Sequence, residues 1–190
     1  EAALYLNQMA VSVEGLNVER FLAAWNATIQ RHEILRTGFW SASTLAEPLQ
    51  LVYKQACIAV RQLDWQGRSV DAEELKQQVD ADAAQGFDLL HAPLMRLTLV
   101  RLSENSHYLI WTSHHILMDG WSSSRLLGEV LEHYSGQPAT PKQGRYRDYI
   151  GWLKAQSQQS LELFWKDQLR EVTGPTLLAS AIAPRPDSSL

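Results

Sequence analysis

The sequence predicts an α/β sandwich lobe in which a mixed, mainly antiparallel sheet is packed by helices. Three observations lead there. Short runs rich in β-branched and aromatic residues alternate with longer stretches of helical apolar periodicity, the pattern of mixed layers rather than of a parallel doubly wound sheet. Two neighbouring apolar runs, 94–102 and 107–114, flank the turn-like Ser103-Glu104-Asn105-Ser106 and read as an antiparallel hairpin. The chain has 190 residues, 45% of them hydrophobic, enough for one sizeable core without requiring two.

The elements follow in order. Residues 4–13 form a strand, interrupted by polar Asn7 and Gln8 and closed by Glu14-Gly15. Asn17 caps a helix that runs to about Arg31 and gathers Val18, Phe21, Leu22, Trp25 and Ile29 on one face. Residues 35–40, 50–55 and 59–65 are short strands. Residues 71–85, rich in Ala, Glu, Gln and Lys, make a second helix that Gly86 ends. Beyond the hairpin and Gly120, Ser122 or Ser123 caps a helix reaching Tyr134, with Leu126, Leu127, Val130, Leu131 and Tyr134 inward and Gly136 as its stop. Residues 138–144 are a loop. Helices at about 147–157 and 160–172 lead into 174–190, whose Pro184, Pro186 and serines read as a tether.

A net charge of −4 and a pI near 5.9, with no basic run or stripe, argue against a nucleic-acid partner. No run of about 18 apolar residues suggests a membrane span, and the N-terminus lacks the pattern of a secretory signal. The single Cys57, between Ala56 and Ile58, reads as a small core residue, which fits a reducing, cytoplasmic setting. The opening at Glu1, directly into Ala2-Ala3-Leu4-Tyr5-Leu6, suggests a piece of a longer polypeptide.

The chemistry concentrates in Ser113-His114-His115-Ile116-Leu117-Met118-Asp119-Gly120-Trp121-Ser122. Successive strand side chains point to opposite faces, so a strand reaching His115 cannot aim both imidazoles into one cleft or onto one metal. One histidine is left for chemistry and the other for packing. His115 is the candidate catalytic residue, since imidazole takes or holds a proton near neutral pH. Asp119, amid apolar neighbours, would be costly to bury unpaired and calls for a cation. Gly120 either serves as a plain turn residue or brings its N–H toward a reacting carbonyl. Ser122 reads as a cap, there being no nucleophile elbow around it. His32, His91, His107 and His133 lack partners at metal spacing and read as surface or helix-end residues, so no metal site is expected.

The segment His-His-Ile-Leu-Met-Asp-Gly resembles the His-His-x-x-x-Asp-Gly signature of condensation domains of nonribosomal peptide synthetases, in the chloramphenicol-acetyltransferase-like superfamily. Arg31-His32-Glu33-Ile34-Leu35-Arg36-Thr37-Gly38-Phe39 is similar to that family's Arg-His-Glu-x-Leu-Arg-Thr-x-Phe motif. Tyr146-Arg147-Asp148-Tyr149-Ile150-Gly151-Trp152 is similar to its later Tyr-x-Asp-Phe-x-x-Trp motif, which is read as helix-to-sheet packing without chemistry.

The resemblance implies a chloramphenicol-acetyltransferase-like sandwich and an enzyme that forms an amide between a carrier-bound acyl or peptidyl thioester and a carrier-bound aminoacyl group. His115 would face a tunnel between two lobes, with His114 structural and Asp119 braced by Arg31, by Arg36 next, or by an arginine of the absent lobe. For Arg31, a solvated cation at a helix C-terminus is the plainer reading. Residues 1–172 would be the N-terminal lobe and 173–190 a linker toward a C-terminal lobe. No cofactor is expected on the chain itself; phosphopantetheine arms of upstream donor and downstream acceptor carrier proteins would present the substrates, with an adenylation domain as neighbour. Alone, the lobe is expected to be inactive. Two other readings are an acyl-coenzyme A acyltransferase of the same superfamily and a non-catalytic docking lobe.

Overall fold

In the computed structural model the described residues are 5–43, 45, 47–137 and 144–177. They fall into two compact units, Glu1–Tyr146 and Arg147–Leu190. In the first, apolar periodicity and caps set the elements. Strand β1 is Leu6–Glu14 and helix α1 Val18–Arg31, whose Asn17 side chain accepts from the Arg20 N–H as the periodicity predicts. A short 3-10 turn, Glu33–Arg36, leads into β2, Thr37–Trp40. The strand read from 35 onward therefore begins two residues later, because Leu35 is consumed by the turn and buried by it.

Strands β3 (Leu49–Val52) and β4 (Ala59–Asp64) follow, then α2 (Ala72–Ala84) with a capping box between Asp71 and Glu74. The hairpin is β5 (Met95–Arg101) and β6 (Ser106–His114), and α3 spans Gly120–Ser135, closed by Gly136 in the left-handed conformation, φ 75°.

The main sheet has the order β1-β6-β5-β4. β6 pairs antiparallel with β1, from Leu6↔His114 to Glu14↔Ser106, and antiparallel with β5. β4 runs parallel to β5, and the crossover connection that this pairing requires contains α2. β2 and β3 form a separate antiparallel pair. Gly38 in that pair admits no side chain: a Cβ there would stand 2.1 Å from the Leu90 carbonyl oxygen.

Alternation along the hairpin sorts its residues. Leu97, Leu99, Leu109 and Trp111 join Phe21, Trp25 and Ile29 of α1 and Leu126 and Val130 of α3 in the core, where Trp25 and Trp111 have ring centroids 5.1 Å apart. Thr98 and Thr112, one step out of phase, turn to the α2 face and donate to Asp82.

Three burial expectations are corrected, the first being Leu131, read as inward on α3 but exposed. Cys57 is exposed, although its chain neighbours Ala56 and Ile58 are buried. His107, read as a surface residue, is 7% exposed and lies inside β6.

Helix α4 spans Tyr146–Lys154, all but its first residue in the second unit, and α5 spans Gln158–Gln168; none of their residues is buried, and Tyr149 stacks on Trp152. Ser157, read as the end of the first of these helices, instead caps the second by accepting from the Ser160 N–H. The loop at 138–143 and the tether beyond 177 lie outside the described residues, as does Leu4. Among the described residues no helix is long and apolar enough to cross a membrane.

Candidate active site

The end of β6 sends its two histidines to opposite faces. The His115 N–H donates to the Tyr5 carbonyl at 2.7 Å, which prolongs the β1–β6 ladder by one residue and keeps strand alternation through both. His114 takes the α2 face. Its ring stacks on Tyr5, centroids 6.2 Å apart, and meets Phe87 edge to face at 6.4 Å. Its Nδ1 accepts from the Ile116 N–H at 3.1 Å, which in the neutral ring leaves the proton on Nε2. Burial, then the neighbouring His115, holds the His114 pKa below the ordinary imidazole value.

His115 takes the other face and is exposed. It lines a cleft of about 310 Å³ with Asn7 and Met9 of β1, Trp111 and, from α3, Ser124 and Leu127. The Ser123 and Ser124 hydroxyls donate to the Asp119 and Gly120 carbonyls, so neither is set up as a nucleophile. By residue type an imidazole is able to act as a general acid or base.

A turn connects the histidines to α3. The Leu117 N–H donates to the His114 carbonyl, and Leu117 and Met118 are buried and anchor it. Asp119 is the N-cap of α3, accepting from the Ser122 N–H at 2.8 Å. Ser122, predicted as the cap, is thus the donor to it; an aspartate caps as well as a serine, and this one stands where the helix begins. The Ser122 N–H and then its side chain hold the Asp119 pKa below the usual carboxylate range, with a smaller contribution from His115.

The Asp119 carboxylate is exposed, which removes the burial penalty that called for an arginine. Arg31 instead forms an ion pair with Glu129 of α3 at 3.4 Å, and His32 meets the same carboxylate oxygen at 2.7 Å. Arg36 donates to the Tyr53 carbonyl, and Glu33 pairs with Arg145 at 2.5 Å. Arg31 and His32 therefore tie the C-terminal end of α1 to α3. Sequence reasoning does not single out Glu129; its signal is a carboxylate on the inward stripe between Leu126 and Val130.

Gly120 is the first residue of α3 and lines the His115 cleft. Its backbone is helical, so the unusual conformations open to glycine are not used here. A Cβ at this position would meet nothing within 4 Å.

The family model "Condensation domain" matches residues 2–190. A linear gramicidin synthase protein of Brevibacillus parabrevis is 40% identical over 185 residues, which cover 93% of this chain and 2% of that protein. Bacitracin synthase 3 of Bacillus licheniformis is 36% identical over 181 residues, covering 91% of this chain and 3% of the relative. The starter condensation domain of the rhizomide synthetase RzmA superposes with a TM-score of 0.78 at 19% identity, over 94% of this chain and 45% of that one. The chain thus spans a few per cent of the length of its curated relatives and less than half of that solved structure.

Proposed function

This chain belongs to the condensation-domain family, and from that premise we propose that it supplies one wall of a site for amide-bond formation in nonribosomal peptide synthesis. The amine nitrogen of a carrier-bound aminoacyl group attacks the carbonyl carbon of a carrier-bound acyl or peptidyl thioester. A C–N bond forms, the C–S bond breaks, and the thiol leaves with the proton lost by the nitrogen. His115 takes or holds that proton in the cleft, while His114 and the capped turn before α3 hold the backbone that presents it.

The observation that supports this reading is the exposed His115 lining a cleft at the start of α3, next to a His114 packed against Tyr5 and Phe87. The substrates arrive on phosphopantetheine arms of donor and acceptor carrier proteins, with an adenylation domain alongside and a second lobe as the opposite wall. Substrate holding of this kind is a large part of the rate, since effective molarities reach about 10⁵–10⁸ M.

The test is His115→Ala in the intact synthetase, with both carriers loaded and product followed by mass spectrometry. Product formation should fall about 10²–10⁴-fold while carrier loading is unchanged. Parental turnover by a well-folded variant would remove His115 from the reaction.

A further inference from the structure

Asp82 lies on α2, on the face of the sheet away from the His115 cleft, and is 1% exposed. Its carboxylate accepts from Arg96 Nε at 3.0 Å, Thr98 Oγ1 at 2.9 Å and Thr112 Oγ1 at 2.5 Å. Arg96 also donates to the Asp82 and Gly86 carbonyls, so its fork is used on both sides. Its guanidinium sits 4.4 Å from the centroid of Phe87, the ring that stands edge-on to His114. Thr112 precedes His114 by two residues on the same face of β6 and takes a further donation from Gln8 of β1, a residue that also lines the His115 cleft.

We propose that the Asp82–Arg96 pair is a positioning device for the active-site turn, holding the end of β6 and the His114 ring so that His115 stays aimed into the cleft. The proposal rests on the role assigned to His115 above. A buried ion pair contributes little net stability compared with apolar packing of the same shape, so stability alone gives a weak account of this one. What the pair does possess is reach: one carboxylate fixes α2 to β5 and β6, and the guanidinium backs the ring against which His114 lies. A displacement of about 1 Å at such a turn can cost on the order of 10²-fold in rate.

The experiment uses the intact synthetase with both carriers loaded. Asp82→Asn should lower kcat about 10–100-fold at unchanged KM for the acceptor carrier. Introduced into the His115→Ala background, it should lower turnover no further, because its effect passes through that imidazole. Parental kcat in a folded Asp82→Asn protein overturns the proposal, and so does an equal loss in both backgrounds. If Asp82→Asn does not fold, Thr112→Val leaves the ion pair in place and is expected to show a smaller loss with the same non-additivity; full parental turnover overturns it. Labelling of the intact protein with diethylpyrocarbonate, mapped by peptide mass spectrometry, keeps the two proposals distinguishable. If His115→Ala retains parental turnover, the functional reading falls, and the network is judged by labelling alone. His114 should then label several-fold faster in Asp82→Asn than in the parent, and an unchanged rate overturns the network.

Discussion

His32 at the end of α1 and Glu129 in the middle of α3 meet at 2.7 Å, and Arg31 shares the same carboxylate oxygen. This joins the two helices that cover the cleft side of the sheet. All three side chains are less than a third exposed, so solvent screens the contact only in part.

Glu129→Gln keeps the shape and removes the charge that Arg31 and His32 face. We expect a loss of about 1–2 kcal/mol, between the values for exposed and buried pairs. Urea denaturation measures it; a midpoint equal to the parent's would mean that the clamp is energetically idle.

Asp119 separates two accounts of its carboxylate. A cap needs an acceptor oxygen, which asparagine supplies, so Asp119→Asn should melt close to the parent and Asp119→Ala clearly lower. An arginine brace would make both variants fall together. Because the folded pKa is lowered, the contribution is present above the ordinary carboxylate titration near pH 3.9 and disappears as pH falls through the lowered folded value.

His114 and His107 both have pKa values held below the ordinary imidazole value, chiefly by burial, with His115 and Arg101 respectively adding to the effect. The unfolded chain therefore binds more protons than the folded one once pH drops toward about 6.5. Stability from these two neutral rings is complete above that pH and is lost as pH falls toward their folded values. Denaturation midpoints at pH 7.5 and 5.5 should show the decline, and His107→Gln should make it shallower. An equal slope in that variant would assign the pH dependence elsewhere.

Gly120→Ala places a methyl group where the structure has open space beside the cleft. With a helical backbone already in place, the substitution should stabilise by about 0.4–1 kcal/mol. The same methyl narrows the cleft, so product formation should drop while the melting temperature rises. Higher stability with full turnover would show that substrate does not approach this end of α3.

Local chemistry by itself determined much of this protein. The helix over Val18–Arg31, the hairpin of Met95–Arg101 and Ser106–His114, and the placing of His114 at the end of its strand all follow from periodicity, caps and strand alternation, which act over a few residues. The three motifs likewise identified the family from residues close together in the chain. Tertiary structure decided what each charge meets. Arg31 pairs with Glu129, 98 positions along the chain, rather than with Asp119, and Asp82, one carboxylate among several on α2, is buried because Arg96, Thr98 and Thr112 converge on it from the sheet. Such choices depend on how helices seat on the sheet and on which positions lose water. Asp119 stays exposed and needs only a backbone N–H, whereas Asp82 is enclosed and must be satisfied by partners that no local pattern names.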